Sequence, residues 1–333
     1  MKIADRQVGA DATLFVIAEI GLNHGGDVHE ALALVDVAAD AGASAVKLQS
    51  LRAETLVTAA CPGPAHVEAA SLVDFFRTFE LDEAAHAAVA ARARARGLAF
   101  MSTPFDEAAV DMLERVGCDA YKIASGDVTH HRLIERAALT GKPMVISTGM
   151  SELDEVRDAV AVARRAGATA ITVLHCVSAY PVPSGSENLG AVATLARELG
   201  LPAGLSDHGT SDDDIVVAVT LGAVVYERHI VLSESSTAID AAVSSSGAQL
   251  ASRIRAAARV QAALGHGRKT CLPAEAVNVT AIRRALYAAR DLELGALIRP
   301  ADIVALRPAN GLSADHWHDL VGRRVPRAIT AGG

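Results

Sequence analysis

The sequence predicts an α/β fold: a closed (β/α)8 or TIM barrel, followed by a small C-terminal domain. Short β-branched segments alternate with Ala-rich helical segments from about residue 13 to residue 265. The alternation extends over about 250 residues, the usual size of such a barrel. Polar clusters also follow the predicted strands, as the active-site end of a barrel requires. A doubly wound open sheet is the alternative that the same alternation allows.

The predicted strands are short runs of apolar and β-branched residues. They are Thr13–Glu19, Ser44–Gln49, Leu98–Ser102, Ala120–Ile123, Met144–Ser147, Ala170–His175, Ala203–Ser206 and Ala223–His229. The intervening segments have helical spacing, and Val28–Ala41 repeats its apolar residues on one face. Glycines follow several of these helices, where a left-handed C-cap is commonly needed.

Periodicity is lost after Gly265. We therefore predict that residues 1–265 form the barrel and that residues 266–282 form a linker. Residues 283–333 would form a separate small domain, because their pattern is typical of short strands and turns rather than another strand and helix.

The composition argues against several classes of partner. The net charge is −8, the pI is near 5.8 and no basic stretch exists, so we expect neither nucleic acid nor an acidic membrane as a partner. The four cysteines lack paired spacing and should be reduced. No apolar run reaches the roughly 20 residues of a membrane helix, and the first residues lack a signal-peptide pattern. We expect a cytoplasmic protein.

Two lysines, Lys47 and Lys122, lie at the ends of the second and fourth predicted strands. Alternate strands contribute to the same inward layer of a barrel, so both ammonium groups could converge on one phosphate. Hydroxyl groups at neighbouring strand ends would add hydrogen-bond donors: Thr103, Ser125, Ser147 and Ser206. The alternatives are salt bridges to nearby carboxylates, or a Schiff base on a buried lysine.

His208 and His229 lie at the ends of adjacent predicted strands. Neighbouring strands are roughly 4.8 Å apart, so both imidazoles could contact one divalent ion and leave positions open for substrate. Asp207 and Glu227 would then orient these ligands or hold a metal-bound water. Two histidines that are only hydrogen-bonded to carboxylates are the alternative.

Glu19 ends the first predicted strand beside Asn23 and His24. A carboxyl group at this position could transfer a proton or activate a water, so Glu19 is our candidate general acid or base. A structural carboxylate is the alternative interpretation.

Together the strand-end motifs resemble the sialic acid synthase family, which includes N-acetylneuraminate, legionaminate and pseudaminate synthases. The motifs are Ala18-Glu-Ile-Gly-Leu-Asn-His-Gly-Gly, Lys122-Ile-Ala-Ser-Gly-Asp, Ser147-Thr-Gly-Met and Gly204-Leu-Ser-Asp-His, in the family's order and spacing. Near the C-terminus, Ala289-Arg-Asp-Leu, Leu306-Arg-Pro and Gly311-Leu-Ser resemble the antifreeze-like (SAF) domain of these enzymes.

The resemblance implies that phosphoenolpyruvate condenses with an N-acetylmannosamine-like sugar aldehyde, giving a nine-carbon 2-keto acid and phosphate. It implies a metal at His208 and His229, usually Mn²⁺, although Mg²⁺ or Co²⁺ also suits nitrogen and oxygen ligands. Ser178 would contact the phosphoenolpyruvate carboxylate, at a position where relatives often carry Asn. The resemblance assigns the acceptor sugar to Gln49, Asp127, Tyr180, Asp240 and Arg307, with Arg307 supplied by the partner in a domain-swapped homodimer.

Three departures from the family pattern bear on the acceptor sugar and the second domain. The loop between Leu51 and Phe79 is shorter than usual, and Ser233–Ser245 keeps Asp240 but lacks the family's His and Phe. The chain stops at Ala328–Gly333, so we expect a shortened SAF domain. Two other functions stay open: a Schiff-base aldolase that uses Lys122 and pyruvate, and a sugar-binding barrel without turnover.

Overall fold

A computed structural model describes residues 1–58, residue 60 and residues 71–333. Cys61 and part of the loop predicted to be shortened lie outside these residues. The chain divides into two compact units, Met1–Gly265 and His266–Gly333.

The first unit is a closed parallel barrel. Its strands are β1 (Phe15–Gly21), β2 (Ala45–Ser50), β3 (Ala99–Pro104), β4 (Ala120–Ile123), β5 (Met144–Ser147), β6 (Ile171–Cys176), β7 (Ala203–Asp207) and β8 (Val225–Ile230). Each strand pairs with the next along the chain, and β8 pairs with both β7 and β1. This closure confirms the predicted barrel, because an open sheet would leave its two outer strands with unpaired edges.

The bounds of β4 and β5 are as predicted, whereas other strands begin or end one or two residues later. The largest differences are in β1 and β8, which begin at Phe15 and Val225 rather than at Thr13 and Ala223. Apolar patterning marks which residues are buried, but the ladder hydrogen bonds set the ends of a strand. Strand β1 also continues past Glu19 to Gly21, through a shift in its register with β2.

Helices connect the strands. They are α1 (Val28–Ala41), α2 (Ala53–Leu56), α3 (Leu72–Arg77), α4 (Glu83–Ala95), α5 (Glu107–Val116), α6 (His131–Ala138), α7 (Leu153–Arg165), α8 (Ala191–Leu199), α9 (Asp214–Thr220) and α10 (Gly247–Leu264). The longer ones pack against the outer face of the sheet, whereas α2 and α3 lie in the segment after β2 and contribute residues to the cavity wall. Helix α1 has the predicted bounds. The Asp27 side chain accepts a hydrogen bond from the His29 N–H at its start, and Gly42 ends it with a φ of 87°.

The barrel interior is apolar at the amino ends of the strands. Phe15 and Ile17 point into it, and Ile3 and Val8 of a short N-terminal hairpin pack against them. Glu19 has the same parity in β1 as Phe15 and Ile17, so it lies on the same inward face nearer the carboxyl end. The barrel is therefore filled from its amino end mainly by apolar side chains, and its charged side chains lie nearer the carboxyl end.

The second unit contains the strands β9 (Ala285–Ala288) and β10 (Ile303–Leu306), which pair antiparallel. Its helices include α11 (Ala276–Ile282) and α12 (Trp317–Leu320). Its small core is formed by Ala288, Leu292, Ile298, Ile303 and Val325. Helix α11 lies in the predicted linker; seven residues make only two turns, too few to produce a visible period.

Among the residues that the structure describes, no helix is both long and apolar enough to cross a membrane.

Candidate active site

A cavity of about 570 Å³ opens at the carboxyl ends of the barrel strands. Twelve of the fifteen predicted site residues line it. They are Glu19, Lys47, Gln49, Thr103, Lys122, Ser125, Ser147, Ser178, Tyr180, Ser206, His208 and His229. Strand alternation explains this convergence, because Glu227 and His229 in β8 have inward parity while Arg228 between them points outward.

Four buried charges of alternating sign form a row across the cavity floor. The Lys47 ammonium lies 2.7 Å from a Glu19 carboxylate oxygen and 3.9 Å from Glu227. Lys122 lies 3.5 Å from the other oxygen of Glu227. Both lysines therefore have the carboxylate partners that we considered as an alternative, and both still line the cavity. When Glu19 is ionised, the row has two positive and two negative groups and is balanced before any anion binds.

The two carboxylates of this row have opposite pKa shifts. Burial raises the pKa of Glu19, more than its contact with Lys47 lowers it. Burial also acts to raise the pKa of Glu227, but Lys122, Lys47 and the Ser206 hydroxyl together leave that pKa lowered. Environments that separate two pKa values in this way typically distinguish an acid from a permanent anion. Glu19 can therefore carry a proton, while Glu227 keeps its negative charge.

The hydroxyl groups predicted to bind phosphate differ in their availability. Thr103 accepts a hydrogen bond from Lys47 at 3.0 Å, and Ser206 donates one to Glu227 at 3.0 Å. Ser125 accepts from the Gly149 N–H at 2.9 Å. The Ser147 hydroxyl is buried without a partner among the described residues, so it remains able to bind a ligand.

His208 and His229 face each other, with ring centroids 5.5 Å apart. The Nδ1 of His208 lies 3.0 Å from the Val177 carbonyl oxygen, so a proton on Nδ1 would leave Nε2 free as a ligand. Burial lowers the pKa of His229 well below its usual value, which keeps this ring neutral as a metal ligand must be. Metal–nitrogen bonds of about 2.1 Å would allow one ion to contact both rings.

The pair alone would leave an ion incompletely coordinated. Within the described part of the chain, no three His, Cys, Asp or Glu side chains are arranged to hold a metal together. Water or substrate oxygens would have to supply the remaining ligands. The donor set therefore fits an ion with open coordination positions rather than a closed structural site.

Asp127, Asp240 and Arg307 are the predicted site residues outside the cavity lining. Asp240 lies behind the metal pair, with Oδ2 3.4 Å from His229 Nδ1, and so could orient that imidazole. Asp127 is in a short 3₁₀ turn after β4, 3.9 Å from the His130 ring, and burial raises its pKa. Arg307 is exposed in the second unit, directly after β10.

Asp207 and Glu227 were both predicted to lie beside the two histidines, and this prediction is wrong for Asp207. Glu227 lines the cavity, but Asp207 has outward parity in β7, opposite to Ser206. The Asp207 carboxylate accepts hydrogen bonds from the Gly209 N–H and the Tyr226 hydroxyl instead of a histidine ring. Asp207 therefore cannot hold a metal-bound water inside the barrel.

Several lining residues were not predicted from the sequence. Cys176 lies at the end of β6 with its sulfur 3.7 Å from His208 Nδ1, and strand parity alone could have identified it. An apolar wall comes from the segment after β2 and from α3: Leu56, Val57, Leu72 and Phe76. The loop between Leu51 and Phe79 was linked to the acceptor sugar by the family resemblance, but no motif in the sequence singles out these four residues within it.

Comparisons with known proteins agree with both parts of the chain. Residues 34–269 match the NeuB family model, and residues 283–333 match the SAF domain. The chain is 34% identical to the N,N'-diacetyllegionaminic acid synthase of Campylobacter jejuni, over 92% of this chain and 94% of the relative. It is 31% identical to the pseudaminic acid synthase of Helicobacter pylori, over 95% of this chain and 94% of the relative.

A solved structure is also similar. The N-acetylneuraminic acid (sialic acid) synthetase of Leptospira borgpetersenii superimposes with a TM-score of 0.76 at 30% identity, over 84% of this chain and 94% of that protein.

Proposed function

The chain belongs to the NeuB family, and we propose that it joins phosphoenolpyruvate to an N-acetylmannosamine-like sugar aldehyde. The products would be a nine-carbon 2-keto sugar acid and inorganic phosphate. Several of its relatives are synthases of sialic, legionaminic or pseudaminic acid, a class of enzyme that condenses phosphoenolpyruvate with a sugar, so the predicted family and reaction class are confirmed. The identity of the sugar, the metal and the roles of individual residues are the finer parts of the proposal.

One observation carries the proposal: a lysine–carboxylate row and a histidine pair share one cavity. The reaction needs a cationic subsite for the phosphate and a second subsite that polarises the aldehyde. In our proposal the row provides the first, and the pair provides the second. Preorganised groups of this kind are typically worth roughly 3 kcal/mol each in transition-state stabilisation.

The phosphate of phosphoenolpyruvate would lie against Lys122, Lys47 and the Ser147 hydroxyl. Lys122 supports this role because, in the described part of the chain, its one hydrogen bond is to the Ile123 carbonyl at 3.3 Å and its ion pair with Glu227 is 3.5 Å long, which leaves its ammonium able to bind an anion. Thr103, Ser125 and Ser206 would complete the subsite, with Ser178 near the carboxylate. Charged hydrogen bonds to a phosphate are the strong kind in proteins.

A divalent ion, Mn²⁺ in our proposal and otherwise Mg²⁺ or Co²⁺, would be held by His208 and His229. When bound, the ion would act as a Lewis acid that polarises the aldehyde carbonyl. The Val177 carbonyl and Asp240 fit this role, because each lies at the Nδ1 of one imidazole and would fix the ring's orientation.

Glu19 would act first as the general acid and then as the general base of the reaction. As the methylene carbon of phosphoenolpyruvate attacks the aldehyde carbon, protonated Glu19 can donate its proton to the aldehyde oxygen, which becomes a hydroxyl group. The resulting carboxylate can then accept a proton from the water that adds to the oxocarbenium carbon. Carbon–oxygen cleavage then releases phosphate, which takes the proton of the new hydroxyl group with it, and the ketone remains. Gln49 donates a hydrogen bond to Glu19 at 3.1 Å and would hold it in place.

The acceptor subsite would lie between polar and apolar walls. Gln49 and Tyr180 line the cavity, and we propose that Asp127 contributes from its rim. The apolar wall formed by Leu56, Val57, Leu72 and Phe76 is suited to the methyl of an acetamido group, which a plain hexose lacks. This contrast favours an acetamido sugar as acceptor.

The direct test is a phosphate-release screen with phosphoenolpyruvate, Mn²⁺ and a panel of acetamido sugars and plain hexoses. We expect phosphate release to depend on an acetamido sugar and to be lost in His208→Ala and His229→Ala. Tight sugar binding without phosphate release from any panel member would instead identify a binding protein without turnover.

A second candidate function rests on Lys122. Burial lowers its pKa, more than its contact with Glu227 raises it, and a neutral amine is what Schiff-base chemistry needs. Pyruvate with borohydride would covalently trap Lys122 if the protein were such an aldolase. We expect no adduct, and an adduct lost in Lys122→Ala would favour the aldolase.

A further inference from the structure

A buried polar cluster lies on the outer side of β7 and β8, away from the cavity. It consists of Asp207, Tyr226, Arg228 and Arg253. None of the four residues is more than about 5% exposed. Charged side chains are almost never so buried unless they are paired. Glu227 and His229, which flank Arg228 in β8, point the other way into the cavity.

Arg228 binds the backbone carbonyls of both residues that flank His208, Asp207 and Gly209. Its Nη1 donates to the Asp207 carbonyl at 3.2 Å and to the Gly209 carbonyl at 2.6 Å, and it lies 3.1 Å from the Asp207 carboxylate. Its Nε donates to the Ser245 hydroxyl at 3.2 Å. Arg228 directly precedes His229, so one guanidinium links the backbone of one proposed metal ligand to that of the other.

The turn after His208 has little freedom to move. The Gly209 N–H donates to Asp207 Oδ1 at 2.8 Å, and a Cβ added at Gly209 would meet Asp214 Oδ2 at 2.3 Å. The other Asp207 oxygen accepts from the Tyr226 hydroxyl at 2.6 Å. The carboxylate to which Arg228 binds is therefore itself fixed.

We propose that Arg228 is a positioning residue that sets the separation and orientation of His208 and His229. The proposal rests on the metal site of the proposed function and adds a residue that contacts neither substrate nor ion. A planar guanidinium reaches two carbonyls, a carboxylate and a hydroxyl at once, which a single ammonium cannot do with the same geometry. Loosening it would let the two imidazoles move apart while the barrel remains folded.

Arg253 provides a matched control. It is as buried as Arg228, lies 3.5 Å from the same Asp207 oxygen and donates to the Ser211 carbonyl at 2.8 Å. It extends from α10 and binds neither carbonyl that flanks His208. Loss of Arg253 should therefore destabilise the fold without separating the imidazoles.

The test measures the Mn²⁺ dissociation constant by electron paramagnetic resonance in Arg228→Lys, Arg253→Lys and wild-type protein, together with melting temperatures. We expect Arg228→Lys to weaken Mn²⁺ binding by about tenfold or more, as loss of a supporting contact to a metal ligand typically does. It should lower kcat more than it changes KM for phosphoenolpyruvate. Arg253→Lys should bind Mn²⁺ like wild type although its melting temperature falls.

Ser245→Ala removes only the hydroxyl that accepts from Arg228 Nε and should weaken Mn²⁺ binding in the same direction but less. This milder variant decides the question if Arg228→Lys does not fold. Wild-type Mn²⁺ affinity in folded Arg228→Lys, or equal weakening in Arg253→Lys, would overturn the positioning role.

A separate measurement distinguishes failure of this inference from failure of the metal assignment. If wild-type protein binds no Mn²⁺, the metal assignment is wrong. The positioning role of Arg228 is then tested without metal, by NMR of the ring carbons of His208 and His229 in ¹³C-histidine-labelled protein. We expect both resonances to shift in Arg228→Lys and neither in Arg253→Lys. Unshifted resonances in Arg228→Lys would refute it.

Discussion

Glu19 and Glu227 contact the same lysine, yet their other neighbours differ. Glu227 lies between two ammonium groups and a hydroxyl, whereas Glu19 has Lys47 and the neutral amide of Gln49. An arriving phosphate would compete with Glu19 for Lys47, which would raise the pKa of Glu19 further. Substrate binding and protonation of the general acid are therefore coupled in our proposal.

Glu19→Gln should lower kcat by about a hundredfold or more, because the amide keeps the shape but transfers no proton. Binding of phosphoenolpyruvate should persist, since both lysines remain. Steady-state kinetics and calorimetric titration with phosphoenolpyruvate would measure the two effects. Glu227→Gln is the comparison and should weaken phosphoenolpyruvate binding as well, because it disturbs both lysines. Full turnover in Glu19→Gln would exclude Glu19 as the acid.

Metal binding should weaken as the pH falls. Burial acts to lower the pKa of His208, but contacts with Cys176, the Val177 carbonyl and Glu227 together outweigh it and leave this pKa raised. A proton on the ligating nitrogen excludes a metal, so the affinity for Mn²⁺, measured by titration, should begin to fall at a pH above the roughly 6.5 typical of histidine.

A chelator should abolish activity and Mn²⁺ restore it. Activity that survives complete metal removal would contradict the Lewis-acid role.

Several cavity residues could be predicted from the sequence. Alternation along a strand points their side chains inward, and closure of the barrel brings the carboxyl ends of all the strands together. Lys47, Lys122 and His229 are examples: each has inward parity in its strand, and all three line the cavity. The position of Asp240 behind His229 could not be predicted, because it depends on the path of an irregular loop. Asp207 points outward because it alternates with Ser206 along the strand, and the motif Gly204-Leu-Ser-Asp-His alone does not indicate this direction.

At the scale of elements, the end of β1 and the end of β8 share a crowded junction. Asn23, after β1, donates to the Ile230 carbonyl and to the Ser244 hydroxyl, both at 2.9 Å. The short strand Ser244–Ser245 pairs with His229 and Ile230. These contacts hold the loop that carries Asp240 near His229, and the sequence pattern gave no indication of them.

Gly21→Ala should weaken metal binding, because a Cβ there would meet the His229 ring at 3.0 Å. Gly25→Ala is the matched control: its φ of +59° is close to the +57° of Gly21, but nothing lies within 4 Å of its added Cβ. Both variants should lose about 1 kcal/mol of stability from the left-handed backbone. Only Gly21→Ala should lose Mn²⁺ affinity, measured by titration. Equal affinity in both variants would show that His229 tolerates the contact.

At the scale of the whole molecule, Arg307 belongs to the second compact unit, whereas the cavity lies in the first. We propose that it acts on the partner's barrel in a swapped homodimer, because it follows β10 in the second unit and is exposed. The folds of both units could be predicted from the sequence: the barrel from its period, the SAF domain from its motifs. How two subunits contact each other produces no periodic pattern of apolar residues, so the swapped arrangement could not be predicted from periodicity.

Complementation tests the swapped arm. Lys47→Ala and Arg307→Ala chains, each inactive alone, are refolded together in equal amounts. If Arg307 acts in trans, about half of the dimers are mixed and about a quarter of wild-type sites return, because each mixed dimer has one intact barrel paired with an intact arginine. Mixed dimers without activity would show that Arg307 acts in cis or not at all.

The most direct test of the proposed reaction follows the oxygen that bridges carbon and phosphorus in phosphoenolpyruvate. With ¹⁸O at this position, Mn²⁺ and an acetamido sugar acceptor, phosphorus NMR reports whether the label leaves with phosphate. Our account predicts that all released phosphate carries ¹⁸O, that release requires the acceptor, and that the keto acid carries no label. Label retained in the keto acid, or phosphate released without a sugar, would contradict it.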